Sequence, residues 1–317
     1  MTVKGAGSLA RAFFLTKLFV FPLARRCFLG GLFADGGNYW FNGGGEVYVR
    51  EVPIDVHVST AYFVTGSMTL HLCEPNNVIP NLHVSSTVIC ETTNVLSATS
   101  KLALGSPGSA NTGGTFDLNG YDQDVCATKP YNTTVSEATT GSGTVKSAAP
   151  AVLRITGLAA SDTYIPWKFT GQASFEHAAS GTFRLLRAVS DSTGSLTVSD
   201  GRVELLHGAA WSNATAVNVT GGTLFVSDES AACAFGPAAG ASKAAMMIAD
   251  GGTLELAAGG MASVKSLSVD GNSLSAGYYG SKTCTDVRVP PANRLDCITG
   301  GGVLYNRGIG GLLLLVR

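Results

Sequence analysis

Apolar and polar residues alternate over short stretches, each of which follows a glycine. Because side chains alternate between the two faces of a strand, this pattern predicts strands of four or five residues with one buried face. In the copy at 252–256, Leu254 and Leu256 are expected to point inwards, and Thr253 and Glu255 outwards. Between the copies, Gly, Ser, Thr, Asn and Asp predict turns. The clearest copies are 114–118, 181–185, 194–198, 201–205, 222–226 and 252–256.

The copies recur at a spacing that indicates stacking. Looser copies begin at 45, 66 and 86, and clear ones at 181, 201 and 222, so that neighbouring starts lie about 20 residues apart. Stacked repeat folds have periods in this range, whereas a β-sandwich or an up-and-down barrel has no fixed return of one signature. The spacing therefore favours an all-β solenoid, in which no single unit folds alone. A sandwich or barrel of similar strands is the alternative.

The first 44 residues differ from the rest of the chain. A basic start and an apolar stretch at 12–24 are typical of an export signal, but Lys17 interrupts the apolar part. We therefore expect residues 1–44 to be either an export signal or an irregular or helical N-terminal cap. Residues 45–317 are predicted to form a single β-solenoid, in which the repeats are clearest over 100–305.

Composition narrows the class of protein. The 317 residues include 40 glycines, only 14% are charged, and the net charge is −1. A polar surface with few charges is typical of secreted β-rich proteins. Without a basic patch, nucleic-acid binding is not expected. No stretch reaches 18 apolar residues, so this chain is not expected to span a membrane.

Seven cysteines include no Cys-x-x-Cys pair, which argues against a zinc or redox motif. Cys284 and Cys297 flank one loop and are candidates for a disulfide. The alternative for Cys90, Cys126 and Cys233 is that they are small core residues.

Few residues suggest catalysis. The five histidines form no metal-binding pair, and no nucleophile elbow or phosphate loop is present. Asp117, Asp122 and Asp124 lie close together, but we expect them to cap their own turn around Asn119 and Gly120. Trp167 and Trp211 lie in predicted loops and are candidates for a glycan-binding platform, although such aromatics also fill the corners of coils. No metal or cofactor is expected.

The stretch Gly113-Gly-Thr-Phe-Asp-Leu-Asn-Gly-Tyr-Asp-Gln-Asp-Val125 resembles the repeats of the bacterial autotransporter-associated β-strand repeat family. The same pattern of glycine, polar and apolar positions recurs at residues 194–205, 216–226, 251–259, 264–271 and 276–280. The resemblance covers about 100–305, is weaker over 45–99 and is absent from 1–44. It implies a right-handed parallel β-helix outside a bacterial cell, usually as a passenger that holds or displays something, and it implies no catalytic residues.

These observations predict a non-enzymatic, extracellular or surface-displayed structural protein of the adhesin or passenger type. Its partners would be surface glycans or proteins, bound by a rigid polar surface. The alternative is a carbohydrate-active enzyme or a glycan-binding module on a parallel β-helix, which would need carboxylates from neighbouring coils to converge in one groove.

Overall fold

The computed structural model describes residues 29–35, 38–51, 54, 61–105, 113–128, 143–157, 163–165, 167–236 and 242–308. Within these ranges the chain is nearly all β, with one short α-helix, α1 (Asp228–Ala231), and a 3₁₀ helix at Pro291–Asn293. The strands of the first half are β1 (Leu29–Asp35), β2 (Asn38–Val49), β3 (Ala61–Val64), β4 (Ser67–Leu72), β5 (Asn81–Val84), β6 (Thr87–Cys90), β7 (Lys101–Leu104), β8 (Thr115–Asp117), β9 (Gln123–Val125), β10 (Ala127–Thr128), β11 (Gly143–Ile155), β12 (Thr163–Ile165) and β13 (Trp167–His177).

The second half continues the same succession of short strands, apart from the insertion of α1 between two of them. The strands are β14 (Thr182–Leu186), β15 (Val189–Ser190), β16 (Ser195–Val198), β17 (Arg202–Leu206), β18 (Ala210–Trp211), β19 (Ala216–Val219), β20 (Gly222–Val226), β21 (Ala245–Ile248), β22 (Gly252–Leu256), β23 (Met261–Val264), β24 (Ser266–Val269), β25 (Asn272–Ser273), β26 (Gly277–Ser281), β27 (Arg294–Leu295), β28 (Ile298–Gly300) and β29 (Val303–Asn306).

Most strands pair in parallel with the strand about one repeat away, and the pairs extend into four long ladders. Ladder 1 is β2–β3–β5–β7–β10, and ladder 2 is β2–β4–β6–β8–β11–β13. Ladder 3 is β9–β11–β13–β16–β19–β21–β24, and ladder 4 is β12–β14–β17–β20–β22–β28. The all-β prediction is confirmed. Parallel ladders of this length do not occur in an up-and-down barrel or an antiparallel sandwich.

The repeats predicted in the second half lie in register in ladder 4. Leu205 pairs with Leu185 on one side and with Val226 on the other, and Val226 pairs in turn with Leu256. In the first half the observed register differs by two residues from the one that the motif starts at 45 and 66 would give. Val47 pairs with Leu70, which lies two residues beyond the partner expected from those starts. A shift of two keeps every side chain on its predicted face, since the period of a strand is two.

One hydrophobic cluster runs through the described chain from Phe41 to Leu304. The predicted alternation is confirmed at several strands. In β22, Leu254 and Leu256 are fully buried, while Thr253 and Glu255 are half-buried on the outer face. Each fully buried Leu or Val contributes about 1.5–3 kcal/mol to stability. The same split holds for the pairs Val203/Leu205 and Arg202/Glu204 in β17, and for Phe116/Leu118 and Thr115/Asp117 at β8.

Glycine stands at the start of four ladder 4 strands, β14, β17, β20 and β22, and successive turns contact each other there. Gly201 and Gly222 have φ values of 60° and 65°. A Cβ atom on Gly222 would overlap the carbonyl oxygen of Gly201, one rung away. Both the left-handed backbone and the close approach of main chains therefore require glycine at this position.

The N-terminal part differs from the prediction. The described residues 29–35 and 38–44 lie in strands, and β1 pairs antiparallel with β2 from Leu29↔Gly44 to Asp35↔Asn38. They are therefore neither helical nor irregular, and the boundary predicted at 45 falls inside β2. Glycine weakens a strand locally, but pairing with a neighbouring strand overrides that weak propensity. The apolar stretch at 12–24, which suggested an export signal, lies outside the described residues.

The C-terminal end of the described chain departs from the simple parallel pattern. The short strand β25 folds back antiparallel on β24, and β26 pairs antiparallel with β29. The loop after β26 packs Cys284 and Val289 against Val303 in a small separate cluster. Antiparallel returns of this kind cover the exposed edges that a stack of parallel strands would otherwise present.

Candidate functional site

Polar side chains on the outer face of ladder 3 bond to one another across neighbouring strands. Arg154 on β11 donates to Asp124 on β9 and to Glu176 on β13, each at 2.8 Å. Ser199 donates to the other oxygen of Glu176 at 2.7 Å. Although burial alone would raise the pKa of Glu176, the hydrogen bonds from Ser199 and Arg154 outweigh it and lower that pKa. The carboxylate is thus held ionised as part of the stack.

Ladder 4 carries a second ionic cluster on its outer face. Arg184 donates to Glu204 at 2.7 Å, and Arg202 donates to Glu204 at 2.6 Å and to Glu255 at 2.7 Å. The guanidinium of Arg202 also lies 4.9 Å from the centre of the Phe225 ring. The two arginines and two glutamates of this cluster bond to one another within and across strands, so the charges on this face are compensated by its own residues.

A third row of interactions runs across the N-terminal rungs and includes side chains of a different kind. We call these residues, Tyr48, His71, Glu91 and Asn119, together with the exposed Tyr121 two positions after Asn119 in the same turn, the outer strip. The rings of Tyr48 and His71 are stacked with centroids 4.1 Å apart, and His71 Nδ1 lies 2.6 Å from an oxygen of Glu91. Asn119 donates to the other oxygen of Glu91 at 3.3 Å and to the carbonyl of Cys90 at 3.1 Å.

Strand register positions the outer strip. Tyr48 on β2 pairs with His71 on β4, and His71 pairs with Ile89 on β6. Glu91 lies two residues beyond Ile89 and therefore has the same outward parity. The turn that contains Asn119 and Gly120 has φ values of 51° and 85°, a left-handed conformation that these two residue types adopt readily.

Two features make the outer strip unlike the ionic ladders. Tyr48 and Tyr121, 39% and 38% exposed, are the most exposed aromatic residues in the part of the chain that the structure describes. His71 is almost fully buried, and its Nε2 has no hydrogen-bond partner there. Because a carboxylate only accepts, Nδ1 of His71 must be the donor to Glu91, which leaves Nε2 as the unused ring nitrogen.

The outer strip has charged neighbours. The Arg50 guanidinium lies 4.6 Å from the centre of the Tyr48 ring, and the Tyr48 hydroxyl donates to Glu46 at 3.0 Å. Hydrogen bonding with Cys73 raises the pKa of Arg50, which remains a cation. At the other end of the strip, Lys146 lies 3.1 Å from Asp117. Cationic and anionic groups therefore flank the strip at both ends.

The three aspartates considered from the sequence do not converge in a groove. Asp117 accepts from the backbone N–H of Asn119 at 3.0 Å, and Asp122 accepts from that of Val152 at 2.8 Å. Asp124 is paired with Arg154. The expectation that these aspartates cap their own turn is confirmed for Asp117 only, because Asp122 caps a backbone group of β11 and Asp124 is ion-paired. The arrangement required for a carbohydrate-active enzyme is not formed by these residues.

The structure corrects the prediction for Trp167 and Trp211. Both indole rings are almost fully buried and lie in strands β13 and β18, so neither is available as a glycan-binding platform. Trp211 stacks on Phe169 with ring centroids 4.6 Å apart and lies 6.3 Å from Phe175. These aromatics fill the interior of the coil, which was the alternative that the sequence left open.

Cys284 and Cys297 are both free thiols in the structure, so the disulfide considered from the sequence is not formed in it. They pack in different places: Cys284 lies in the small cluster with Val289 and Val303, whereas Cys297 packs against the main core. Burial raises the pKa of the Cys297 thiol. Cys90 is a buried core residue and its pKa is raised well above the usual value by burial, as expected for an unreactive thiol.

A shallow, mainly apolar groove lies on the outer face of β19, β21 and β24, bordered by Met247 and Leu274. Among the described residues, its lining contains no charged side chain. Across the described ranges, no three His, Cys, Asp or Glu side chains are arranged to hold a metal ion. Nor do these ranges contain a helix with the length and apolar character needed to cross a membrane.

Comparison with models of known protein families, with characterised proteins and with solved structures found no match. The resemblance to the autotransporter-associated repeats therefore stays an expectation based on the residues quoted for it. The outer strip was not predicted from the sequence because its members on successive rungs lie 20–28 residues apart, and only the strand register brings them together.

Proposed function

We propose that this chain is a non-enzymatic, extracellular or surface-displayed β-solenoid of the adhesin or passenger type, with the right-handed coil that its resemblance to the autotransporter-associated repeats implies. The four parallel ladders and the continuous core support the solenoid. The low content of charged residues, 14%, supports a secreted surface. In this proposal the rod holds its outer faces rigid so that they can bind other surfaces.

One observation carries the non-enzymatic part of the proposal. The ionised side chains on the outer faces of ladders 3 and 4 are engaged with one another, as the Arg154 and Arg202 clusters illustrate. A general acid or base needs a carboxyl group with a shifted pKa that is placed beside a substrate cleft. The carboxylates of these ladders instead stabilise the stack, which suits a rigid scaffold.

The test compares adhesion with turnover. The purified protein should adhere to immobilised polysaccharides or to cell surfaces in a saturable way, while releasing no new reducing ends or unsaturated products from the same polymers. Polymer cleavage that is lost in Asp117→Asn or Asp122→Asn, with folding retained, would show that the alternative of a carbohydrate-active enzyme is correct. Absence of adhesion to every surface would contradict the adhesin function.

A further inference from the structure

We propose that the outer strip is a binding site for a linear, neutral oligosaccharide that lies along the stacking direction, with Tyr48 and Tyr121 contacting sugar rings at its two ends. This inference rests on the proposed function, since it names the ligand class and the face that a surface-binding solenoid would use. It replaces the two buried tryptophans as the place where aromatic rings meet a glycan.

The first support is the chemistry of the strip. Sugar binding in proteins combines an aromatic ring, which packs against the C–H face of a sugar, with carboxylate and amide groups, which bond to its hydroxyls. Glu91 and Asn119 supply the carboxylate and the amide, and the exposed tyrosines supply the rings. The ladder 3 and ladder 4 clusters have the polar groups but no comparably exposed aromatic ring in the part of the chain described.

The second support is an unused hydrogen-bonding atom. His71 is fixed from one side by its short bond to Glu91 and from another by its stack on Tyr48, yet its Nε2 has no partner among the described residues. Buried polar groups normally have a partner, so an unsatisfied one in the centre of the strip indicates a place where a ligand hydroxyl would be favourable. Arg50 is an exposed residue whose guanidinium lies over the Tyr48 ring, and it is the group that a sugar would displace from that ring.

The third support is spacing. Tyr48, His71, Glu91 and Asn119 belong to four successive rungs of ladder 2, so Tyr48 and Asn119 are three strand spacings apart, about 14–15 Å. A short linear glycan is long enough to cover this distance in an extended form. The strip also contains both acceptors and donors without an excess of positive charge, which favours a neutral ligand over a polyanionic one.

The experiment measures binding of the intact protein to linear neutral hexasaccharides of glucose, xylose, mannose and N-acetylglucosamine by titration calorimetry, with oligogalacturonate as the acidic comparison. We expect saturable binding to at least one neutral hexasaccharide and weaker binding to the acidic one. Tyr48→Ala and Tyr121→Ala should each weaken that binding by about fivefold or more, and Tyr48→Phe by less than about threefold. Glu91→Gln should weaken it by about threefold to tenfold.

Matched controls are available on ladder 4. Glu255 is a paired outer-face carboxylate that is 34% exposed, against 33% for Glu91, so Glu255→Gln should leave binding unchanged. Phe225 lies under Arg202 as Tyr48 lies under Arg50, so Phe225→Ala is the aromatic control. Circular dichroism and thermal melting identify any variant that fails to fold. If an alanine variant fails to fold, Tyr48→Phe and Glu91→Gln still test the proposal, because they keep the shape of the strip.

The outcomes separate this inference from the proposed function. If the protein adheres to surfaces but the strip variants bind as well as the ladder 4 controls, the outer strip is not the site and the adhesin function stands. Binding to none of the neutral hexasaccharides, or preferential binding of oligogalacturonate, would also overturn the inference. Loss of oligosaccharide binding in the strip variants alone, together with reduced adhesion, would support both.

Discussion

Individual buried polar atoms show where single residues balance packing against hydrogen bonding. Trp211 is fully buried against Phe169 and Phe175, but its indole Nε1–H has no partner in the described structure. His177 is equally buried and uses only one of its ring nitrogens, Nε2, which donates to the carbonyl of Gly181 at 2.9 Å. Both residues contribute apolar contacts at some electrostatic cost.

Trp211→Phe should therefore change stability little, because the phenyl ring keeps most of the stacking and removes an unsatisfied donor. Trp211→Ala should destabilise the fold by about 3–5 kcal/mol, because it leaves a large cavity. Urea denaturation followed by circular dichroism measures both. A loss of several kcal/mol in Trp211→Phe would mean that the indole N–H has a stabilising partner, such as a buried water.

His177 predicts acid sensitivity. Burial lowers its pKa below the ordinary value of 6.5, against smaller opposing effects of the Gly181 carbonyl and Asp200. The unfolded chain therefore binds more protons than the folded one as the pH falls below about 6.5, so the stabilising contribution is complete above that pH and declines below it. The slope from this residue is at most about 1.4 kcal/mol per pH unit.

Denaturation midpoints between pH 8 and 5 check this prediction when the parent is compared with His177→Gln. Glutamine can still donate to Gly181 but does not titrate, so the variant should lose less stability on acidification than the parent. The other histidines are common to both proteins and cancel in the difference. Parallel pH profiles would show that His177 stays neutral, or is equally protonated, in both states.

Among the elements, the glycine turn that begins β14, β17, β20 and β22 of ladder 4 decides how closely these rungs can stack. Gly222→Ala should destabilise the fold severely, because the new Cβ meets the Gly201 carbonyl as well as a left-handed backbone. Gly251→Ala is the matched control: its φ is 84°, but nothing lies within 4 Å of the new Cβ. It should cost only the conformational penalty, about 1–2 kcal/mol. Equal losses in thermal stability would mean that turn conformation, and not rung contact, requires the glycine.

Strands could be predicted from the sequence where their own residues show an alternating pattern, and not where the strand is too short to show one. The alternation in β8, β17 and β22 gave the buried faces, and the motif starts at 181, 201, 222 and 252 gave the ladder 4 register. Trp211 was misplaced because β18 has only two residues, too few for any periodic pattern. Trp167 was misplaced because Pro166 suggests a loop, although proline is compatible with the start of a strand.

The outer strip could not be predicted in the same way. None of its residues is unusual in its own segment, and Tyr48 and His71 belong to rungs whose register differs by two residues from the motif spacing. Only the paired strands bring an aromatic, an imidazole, a carboxylate and an amide together. Sites built from one residue per rung are a general consequence of stacking, since each rung contributes a single outward position to a given row.

For the whole molecule, stacking predicts that a complete rung is a unit that can be removed. Arg202 and Thr223 are register partners, so deletion of residues 202–222 joins Gly201 to Thr223 and leaves β14 next to β20 and β16 next to β21. Ladders 3 and 4 keep parallel partners throughout, whereas β15 loses its partner β18. The shortened protein should therefore fold, but with lower stability, because it also loses the Trp211 stack.

Deletion of residues 202–212 is the matched comparison. It removes β17 and β18 but keeps β19. Ladder 4 therefore loses a strand while ladder 3 does not, so the strands of the two ladders no longer match rung by rung. Far-UV circular dichroism and the sharpness of thermal unfolding should show a native-like β protein for the larger deletion and an unfolded or aggregated one for the smaller. Removal of fewer residues can be more damaging only when the coil is the structural unit. If the smaller deletion is tolerated better than the larger one, stability does not reside in whole stacked rungs, and the solenoid proposal fails.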